Sequence, residues 1–404
     1  MSADRLSTEE LARRLGADPE WVDALVDAGA LDRAADGTFA AGDVHRVRLL
    51  MGFLQAGVPL DRLVAASDAG RISLRYYDEL HLPPAPLTGR SYGGFAASLG
   101  ERRTHLGQLY AAFGLAEPDP DVLLSVDDEE VLSACVEAII ATGQADLALR
   151  AIRMFGEGSR RAADASLGIY AEAVARTGED LAGLPVDEAF DRVLRPWARF
   201  ARRASDLSKW LAWRHMSRAI DEYSVTETER ILEGAGFVPP RLETPPAVAF
   251  VDLTGFTKLT LERGDEAAAA LALRLGDVTA ETVRPHRGRV VKLLGDGVLV
   301  RFDDAASAAG STLDLLAALP ASGLPSGHAG IASGPLIVRD GDVFGRTVNL
   351  AARIADVAPD GRLFVPQTVA DALPGDAFEL RPADAAVLQG IGRVPLLEVR
   401  RRTG

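Results

Sequence analysis

Two aspartates sit where a carboxylate can do chemistry. Asp252 lies near the end of the apolar run "AVAFVDL" and is followed at once by "LTGFT", and Asp296 lies between two glycines in "GRVVKLLGDGVLVRF". Either alone is ordinary, because aspartate is common in turns and at strand ends. Together they suggest more: a strand end and an adjacent hairpin tip can hold two carboxylates within a few ångströms, where they repel unless cations lie between them. Mg²⁺ takes one or two carboxylates and completes its shell with phosphate oxygens, so the pair looks like a two-metal site for phosphoryl chemistry. Gly255, Phe256 and Thr257 would then offer backbone N–H groups to a triphosphate where the next helix starts.

A second pair stands in "DVFGRTVNLAAR", residues 342–353. Asn349 and Arg353 are four apart, so on a helix they share one face, while Leu350, Ala351 and Ala352 pack down. For an isolated pair a solvated face is the ordinary explanation; here an amide and a permanent cation must have something to touch.

The elements that would position these groups alternate over the second half of the chain. "AVAFVDL" is a continuous apolar run fit for a central strand. "DEAAAALALRLGDVTAETV" and "DAASAAGSTLDLLAAL" read as helices, and the two apolar arms around Gly295–Asp296–Gly297 read as a β-hairpin. "HAGIASGPLIVR" reads as one strand, and "RLFVP", a short helix and a closing hairpin follow. The pattern predicts an α+β sandwich, a sheet with helices packed on it.

The first 240 or so residues read as helix almost throughout, an all-α half. "DEEVLSACVEAIIATGQADLALRAIRMFGEGSRRAADASLGIYAEAVART" places Ile152, Phe155, Leu167, Tyr170 and Val174 at helical spacing. "DRVLRPWARFARRASDLSKWLAWRHMSRAI" is rich in Trp and Phe. Such stripes are expected to be core. Between about 190 and 215 that core would be able to admit a small apolar regulatory ligand. The two Pro-Pro pairs of "GFVPPRLETPP" form a stiff connector. The expected division is therefore 1–75, 76–235, a connector over 236–246, and 247–404.

Length and composition bound what the chain can be. At 404 residues it is too long for one ordinary core. A formal net charge of −14 argues against wrapping nucleic acid with a basic surface. The single cysteine, Cys135, excludes an intramolecular disulfide framework and reads as a small buried hydrophobe; the six histidines are scattered, with no pair at metal-ligand spacing. "MSADRLSTEELARR" lacks the apolar stretch of a signal peptide, and no apolar run reaches the roughly 18 residues of a membrane span. A cytoplasmic location is expected.

Two resemblances follow from these motifs. "STEELARRL", "DPEWVDALVDAGAL", "ADGTF" (a tight two-stranded wing or turn) and "GDVHRVRLLMGFLQAGVPLDRLVAAS" resemble the winged helix-turn-helix of the MerR regulators. The resemblance departs where DNA would be read: Glu20, Asp23 and Asp27 lie on the second helix, and acid repels phosphate. A borrowed scaffold, without nucleic-acid binding, is expected. "AFVDLTGFTKLT", "GRVVKLLGDGVLVRF" and "DVFGRTVNLAARI", in this order, resemble the catalytic domain of the class III nucleotidyl (adenylate/guanylate) cyclases over about residues 247–404.

The second resemblance implies a ferredoxin-like, palm-type sheet and two Mg²⁺ or Mn²⁺ ions per active site. Asp252, Asp296 and the Leu253 carbonyl would hold the ions, and Lys292 and Asp342 would recognise the purine of ATP. Asn349 would orient the ribose and Arg353 would stabilise charge on the α-phosphate. It also implies a head-to-tail homodimer, with the acids from one subunit and Lys292, Asp342, Asn349 and Arg353 from the other. Guanylate cyclases of this family typically carry glutamate and cysteine, or a similar residue, where Lys292 and Asp342 stand. One departure is Gln389, where many relatives place a phosphate-binding lysine; Arg393 or Arg346 would have to compensate. Two alternatives remain open: a guanylate cyclase, and a DNA-binding regulator whose cyclase-like domain senses nucleotide.

Overall fold

The computed structural model describes residues 5–73, 85–181, 184, 186–239 and 244–402, so part of the expected connector (240–243) lies outside the described residues. Two compact units divide the chain, Met1–Arg230 and Ile231–Gly404. Among the described residues no helix is long and apolar enough to cross a membrane.

The first helices of the N-terminal unit are Thr8–Leu15, started by the Ser7 hydroxyl accepting the Glu10 N–H, and Pro19–Asp27, started in the same way by Asp18. Asp43–Gln55 and Leu60–Asp68 follow, separated where the sequence carries Gly57 and Pro59. Leu11, Val22, Leu25, Phe39, Val47 and Leu50 form their shared core. "ADGTF" makes a turn, closed by the Ala34 N–H on the Thr38 carbonyl at 3.0 Å. No self-contained wing forms there; the strand leaving the turn, β2 (Phe39–Ala40), pairs instead with β1 (Arg5–Leu6). A second two-stranded pair joins β3 (Leu87–Ser91) to β4 (Leu123–Ser125). The all-α expectation is corrected to that extent, because ties this short leave no alternating pattern to read.

A second cluster, built on Tyr92, Phe95, Leu106, Leu109, Leu132 and Val136, lies among the helices Tyr92–Ser98, Thr104–Phe113 and Val126–Thr142. Two long helices follow, Ala145–Leu181 of 37 residues and Val186–Gly234 of 49. Here the structure overturns an expectation. Phe190, Val193 and Ala198 are buried, but Phe200, Trp210 and Trp213 are 54%, 54% and 68% exposed, and Phe155 and Leu167 are also exposed. Among the described residues the Trp- and Phe-rich stretch is therefore mostly surface. Helices this long carry more apolar stripe than these two clusters cover.

The C-terminal unit is a sheet flanked by helices. Its strands are β5 (Ala247–Leu253), β6 (Arg289–Leu293), β7 (Gly297–Phe302), β8 (Gly327–Ser333), β11 (Leu363–Pro366), β12 (Phe378–Pro382) and β15 (Leu396–Arg401). Among the described residues they form one seven-stranded sheet in the order β12-β15-β11-β8-β5-β7-β6, antiparallel except for β11 beside β8. The run β8-β5-β7-β6 is the order expected of a ferredoxin-like sheet. Helices Asp265–Val283 and Ala305–Ala321 cover one face, over a core that includes Val251, Leu275, Val300, Leu315 and Ile331. Helix Arg346–Val357 covers the other, against Val248, Leu299 and Ala332.

"HAGIASGPLIVR" does not stay one strand. It breaks after Ser333, at Gly334–Pro335, into β8 and β9 (Ile337–Arg339), and β9 pairs with β10 (Asp342–Phe344) in an arm outside the main sheet. Proline has no N–H to give a sheet ladder, which is why the strand ends there. The closing hairpin is also more elaborate than expected, since β12 pairs with β15 and a small arm, β13 (Ala386–Leu388) with β14 (Gly392–Val394), lies between them.

Helix Arg346–Val357 lies almost on the backbone of β8. A Cβ on Gly330 would stand 2.3 Å from the Ala355 nitrogen and 2.5 Å from the Ala351 carbonyl oxygen. Both are main-chain atoms and cannot swing aside. Gly330→Ala is expected to destabilise the fold by about 2 kcal/mol or more, read as a lower denaturant midpoint. An unchanged midpoint would mean that the helix is free to lift from the sheet.

Candidate active site

Strand β5 builds the site. Ala249, Val251 and Leu253 point into the larger core, and Val248 and Phe250 into the opposite one. The two-residue period puts Asp252 on the same face as Val248 and Phe250, under helix Arg346–Val357. Across the sheet Asp252 is level with Gly297 on β7 and with His328 on β8. Asp296 immediately precedes Gly297, and the Leu253 N–H donates to the Asp296 carbonyl at 3.0 Å. Leu253 itself ends the strand with its side chain in the core.

The Asp252 carboxylate fits this corner because residue 297 has no side chain. A Cβ there would lie 3.0 Å from Asp252 Oδ1. Burial pushes the Asp252 carboxyl above its ordinary range, and the negative charge of Asp296 adds to the effect. This is the donor set and the electrostatic strain that a divalent cation relieves. Among the described residues no group of three or more His, Cys, Asp or Glu side chains could hold a metal ion. Substrate phosphate oxygens would complete the shell, as Mg²⁺ commonly requires.

Phe256 and Thr257 form the first turn of helix Phe256–Arg263, whose N-cap is Gly255 and which has no side-chain cap bond. The Phe256 ring rests on the core and Thr257 is exposed, so the N–H groups of this first turn are left for an anion. Just upstream, the Thr254 hydroxyl donates to Asp360 Oδ1 at 2.7 Å and the Ser326 hydroxyl to Oδ2 at 2.8 Å. These bonds hold the Asp360 carboxyl below its usual range and tie down the segment that follows Asp252.

Lys292 and Asp342 come together within one chain. Lys292 Nζ donates to Asp342 Oδ2 at 2.6 Å, both side chains are partly exposed, and the lysine keeps the aspartate ionised to lower pH than usual. The pair joins β6 to the β9–β10 arm. Asn349 and Arg353 lie exposed on helix Arg346–Val357, whose inner face buries Thr347, Ala351, Ile354 and Ala355. The Arg353 guanidinium donates from Nη1 to Asp356 Oδ2 at 2.9 Å, one turn on. Gln389, Arg393 and Arg346 are all exposed.

Sequence reasoning missed His328. It appeared as one of six scattered histidines, and only the register of β8 on β5 sets it beside Asp252, with Nε2 3.9 Å from Oδ2. Asp356 was missed too, although its i+3 spacing from Arg353 is visible in the sequence.

No family model matches the chain. It is 41% identical over 128 residues to an adenylate cyclase of Streptomyces coelicolor, covering 31% of this chain and 34% of that enzyme. It is 28% identical over 371 residues to a pH-sensitive adenylate cyclase of Mycobacterium tuberculosis, covering 89% and 90%. Over these stretches the chain is similar to adenylate cyclases. It spans about a third of the length of the Streptomyces enzyme. Among solved structures, an adenylyl cyclase from P. aeruginosa matches 39% of this chain and 94% of its own at 21% identity, with a TM-score of 0.36.

The strain at Asp252 has a measurable sign. Its carboxyl is raised in the folded state above 3.8, so the ionised form disfavours folding at neutral pH, and the penalty disappears as pH falls through the raised value. Asp252→Asn should therefore raise the melting temperature of the metal-free protein at pH 7, and the gain should shrink on acidification. A variant less stable than the parent at pH 7 would contradict the electrostatic strain assigned to this corner.

Proposed function

We infer that the protein is an adenylate cyclase, converting ATP to 3′,5′-cyclic AMP and pyrophosphate at sites shared between two copies of the chain. The observation that carries this is the pairing of two constellations in one unit: the crowded carboxylates Asp252 and Asp296, and the Lys292–Asp342 pair at 2.6 Å. Lys292 donates a hydrogen bond to the adenine N1 acceptor and Asp342 accepts from the 6-amino group. A lysine donor facing guanine would meet the N1–H donor instead, which disfavours GTP.

When bound between Asp252 and Asp296, two Mg²⁺ or Mn²⁺ ions would supply charge neutralisation for the triphosphate and acidify the ribose 3′-hydroxyl. The 3′-oxygen attacks the α-phosphorus, the bond to the β-phosphate oxygen breaks, and pyrophosphate leaves. Asn349 orients the ribose. Arg353, released from Asp356, faces the charge growing on the α-phosphate, a contribution of about 10²–10³ in rate. The first-turn amides at Phe256 and Thr257 hold phosphate oxygens. With Gln389 neutral, Arg393 or Arg346 is left to meet the terminal phosphate.

Exposed apolar side chains support the head-to-tail homodimer. Leu293, Leu294, Ile337, Val338 and Phe344, on and beside the β6–β7 hairpin and the β9–β10 arm, are 46%, 46%, 60%, 55% and 48% exposed. They border Lys292 and Asp342, where a second copy would bring its acids. The expected segments 1–75 and 76–235 would regulate this dimer through the connector. We take 1–75 as a MerR-like scaffold that does not read DNA, because Glu20, Asp23 and Asp27 make its second helix acidic and Asp23 is ion-paired to Arg33.

The test is product identification after incubating the purified chain with ATP or GTP and Mn²⁺ or Mg²⁺. Cyclic AMP is the expected product, and no cyclic nucleotide under any pairing would refute the proposal. Lys292→Glu with Asp342→Cys should lower ATP turnover more than tenfold, about 1.4 kcal/mol; an unchanged rate would remove the purine assignment. A chain starting at Pro239, assayed where it is dimeric, should differ several-fold in specific activity, and equal activity with equal dimer affinity would exclude regulation by the N-terminal half.

A further inference from the structure

His328 stands across from Asp252 in the β5–β8 ladder, and its two ring nitrogens have different surroundings. Nδ1 lies 2.8 Å from the Ala355 carbonyl oxygen. A carbonyl only accepts, so Nδ1 carries the proton in that bond. In the neutral ring Nε2 is then an unprotonated acceptor. It faces Asp252 Oδ2 at 3.9 Å, which is also an acceptor. Nε2 and Oδ2, 3.9 Å apart, can each give a lone pair to one cation.

The geometry points to His328 Nε2 as a further ligand for a divalent ion held by Asp252, an inference that rests on the cyclase reading of the two aspartates. In an octahedral shell with bonds of about 2.1 Å, trans donors stand about 4.2 Å apart and cis donors about 3.0 Å, so the two side chains, now 3.9 Å apart, reach one ion by small rotations without moving the backbone. The Ala355 carbonyl does for this ring what hydrogen-bond partners commonly do for ligating histidines: it fixes the tautomer and the ring plane. That carbonyl belongs to helix Arg346–Val357, which Gly330 holds against β8. The metal corner and the helix carrying Asn349 and Arg353 would thus meet through one imidazole. A nitrogen donor also changes ion preference. Mg²⁺ favours oxygen throughout its shell, whereas first-row transition ions accept imidazole readily, so His328 would tilt the site towards Mn²⁺.

The experiment is pulsed electron paramagnetic resonance of the full-length chain with Mn²⁺ alone. Omitting nucleotide keeps base nitrogens out of the signal. Directly bound histidine nitrogen should modulate the Mn²⁺ echo, and uniform ¹⁵N-histidine labelling of the unmodified chain should shift that modulation. In His328→Gln the nitrogen modulation should vanish and Mn²⁺ affinity should fall about tenfold or more, with Mg²⁺ affinity changed far less. Mn²⁺ bound without any histidine modulation would overturn the inference while leaving the aspartate site standing. Modulation that persists in His328→Gln would overturn it as well, since another histidine would be the donor. If the unmodified chain binds no Mn²⁺ without nucleotide, the inference fails, because His328 was to supply the donor that a phosphate-free ion needs; the aspartate site, completed by phosphate oxygens, is left standing.

Discussion

Two carboxylates that would rather be apart are held at one corner by the backbone. The Leu253 N–H to Asp296 carbonyl bond locks the end of β5 to the tip of the β6–β7 hairpin, and the missing side chain at Gly297 lets Asp252 sit there. Burial and mutual repulsion push the Asp252 carboxyl up. A fold does not keep such a corner for stability, since a part-buried carboxylate beside a like charge works against folding. Strain of this kind is a common feature of sites awaiting a cation or a substrate. The surroundings are arranged to match: an uncapped helix start on one side, His328 on the other, and Asp360 fastening the segment between.

The remaining groups have a different relation to that corner. Asn349 and Arg353 ride on a helix whose position is set by its near-contact with Gly330, and they face outwards. Arg353 rests on Asp356, an exposed pair that contributes little to stability and is readily given up. Lys292 and Asp342 are likewise tied to each other but reachable. Side chains held in loose, solvent-facing ion pairs are well suited to act on a ligand that arrives with another subunit. The long N-terminal helices repeat the theme on a larger scale, with Phe200, Trp210 and Trp213 left on the surface.

What the sequence made legible follows from the range of each signal. β5 could be read because a central strand is apolar on both faces, and the hairpin because Gly-Asp-Gly marks a turn between apolar arms. The break in "HAGIASGPLIVR" had a local sign in Gly334–Pro335, but its consequence, a separate β9–β10 arm, depends on a partner strand that periodicity does not reveal. His328 was hidden for the same reason, as its meaning lies in register with a strand more than 70 residues away. The Trp- and Phe-rich stripe was misassigned because helical spacing says which face is apolar, not whether the chain itself covers that face.

The central claim is that the metal acids of one subunit and the helix-borne groups of the other make one site, and subunit complementation tests it most directly. Asp252→Ala and Arg353→Ala should each be inactive alone, because each defect spoils both sites of its own homodimer. After mixing under conditions of proven subunit exchange, a heterodimer should collect both defects in one site and leave the other intact. Each heterodimer should then recover up to about half of the parent activity, as two-fold symmetry requires. No recovery despite exchange would contradict the account and assign the whole site to a single chain.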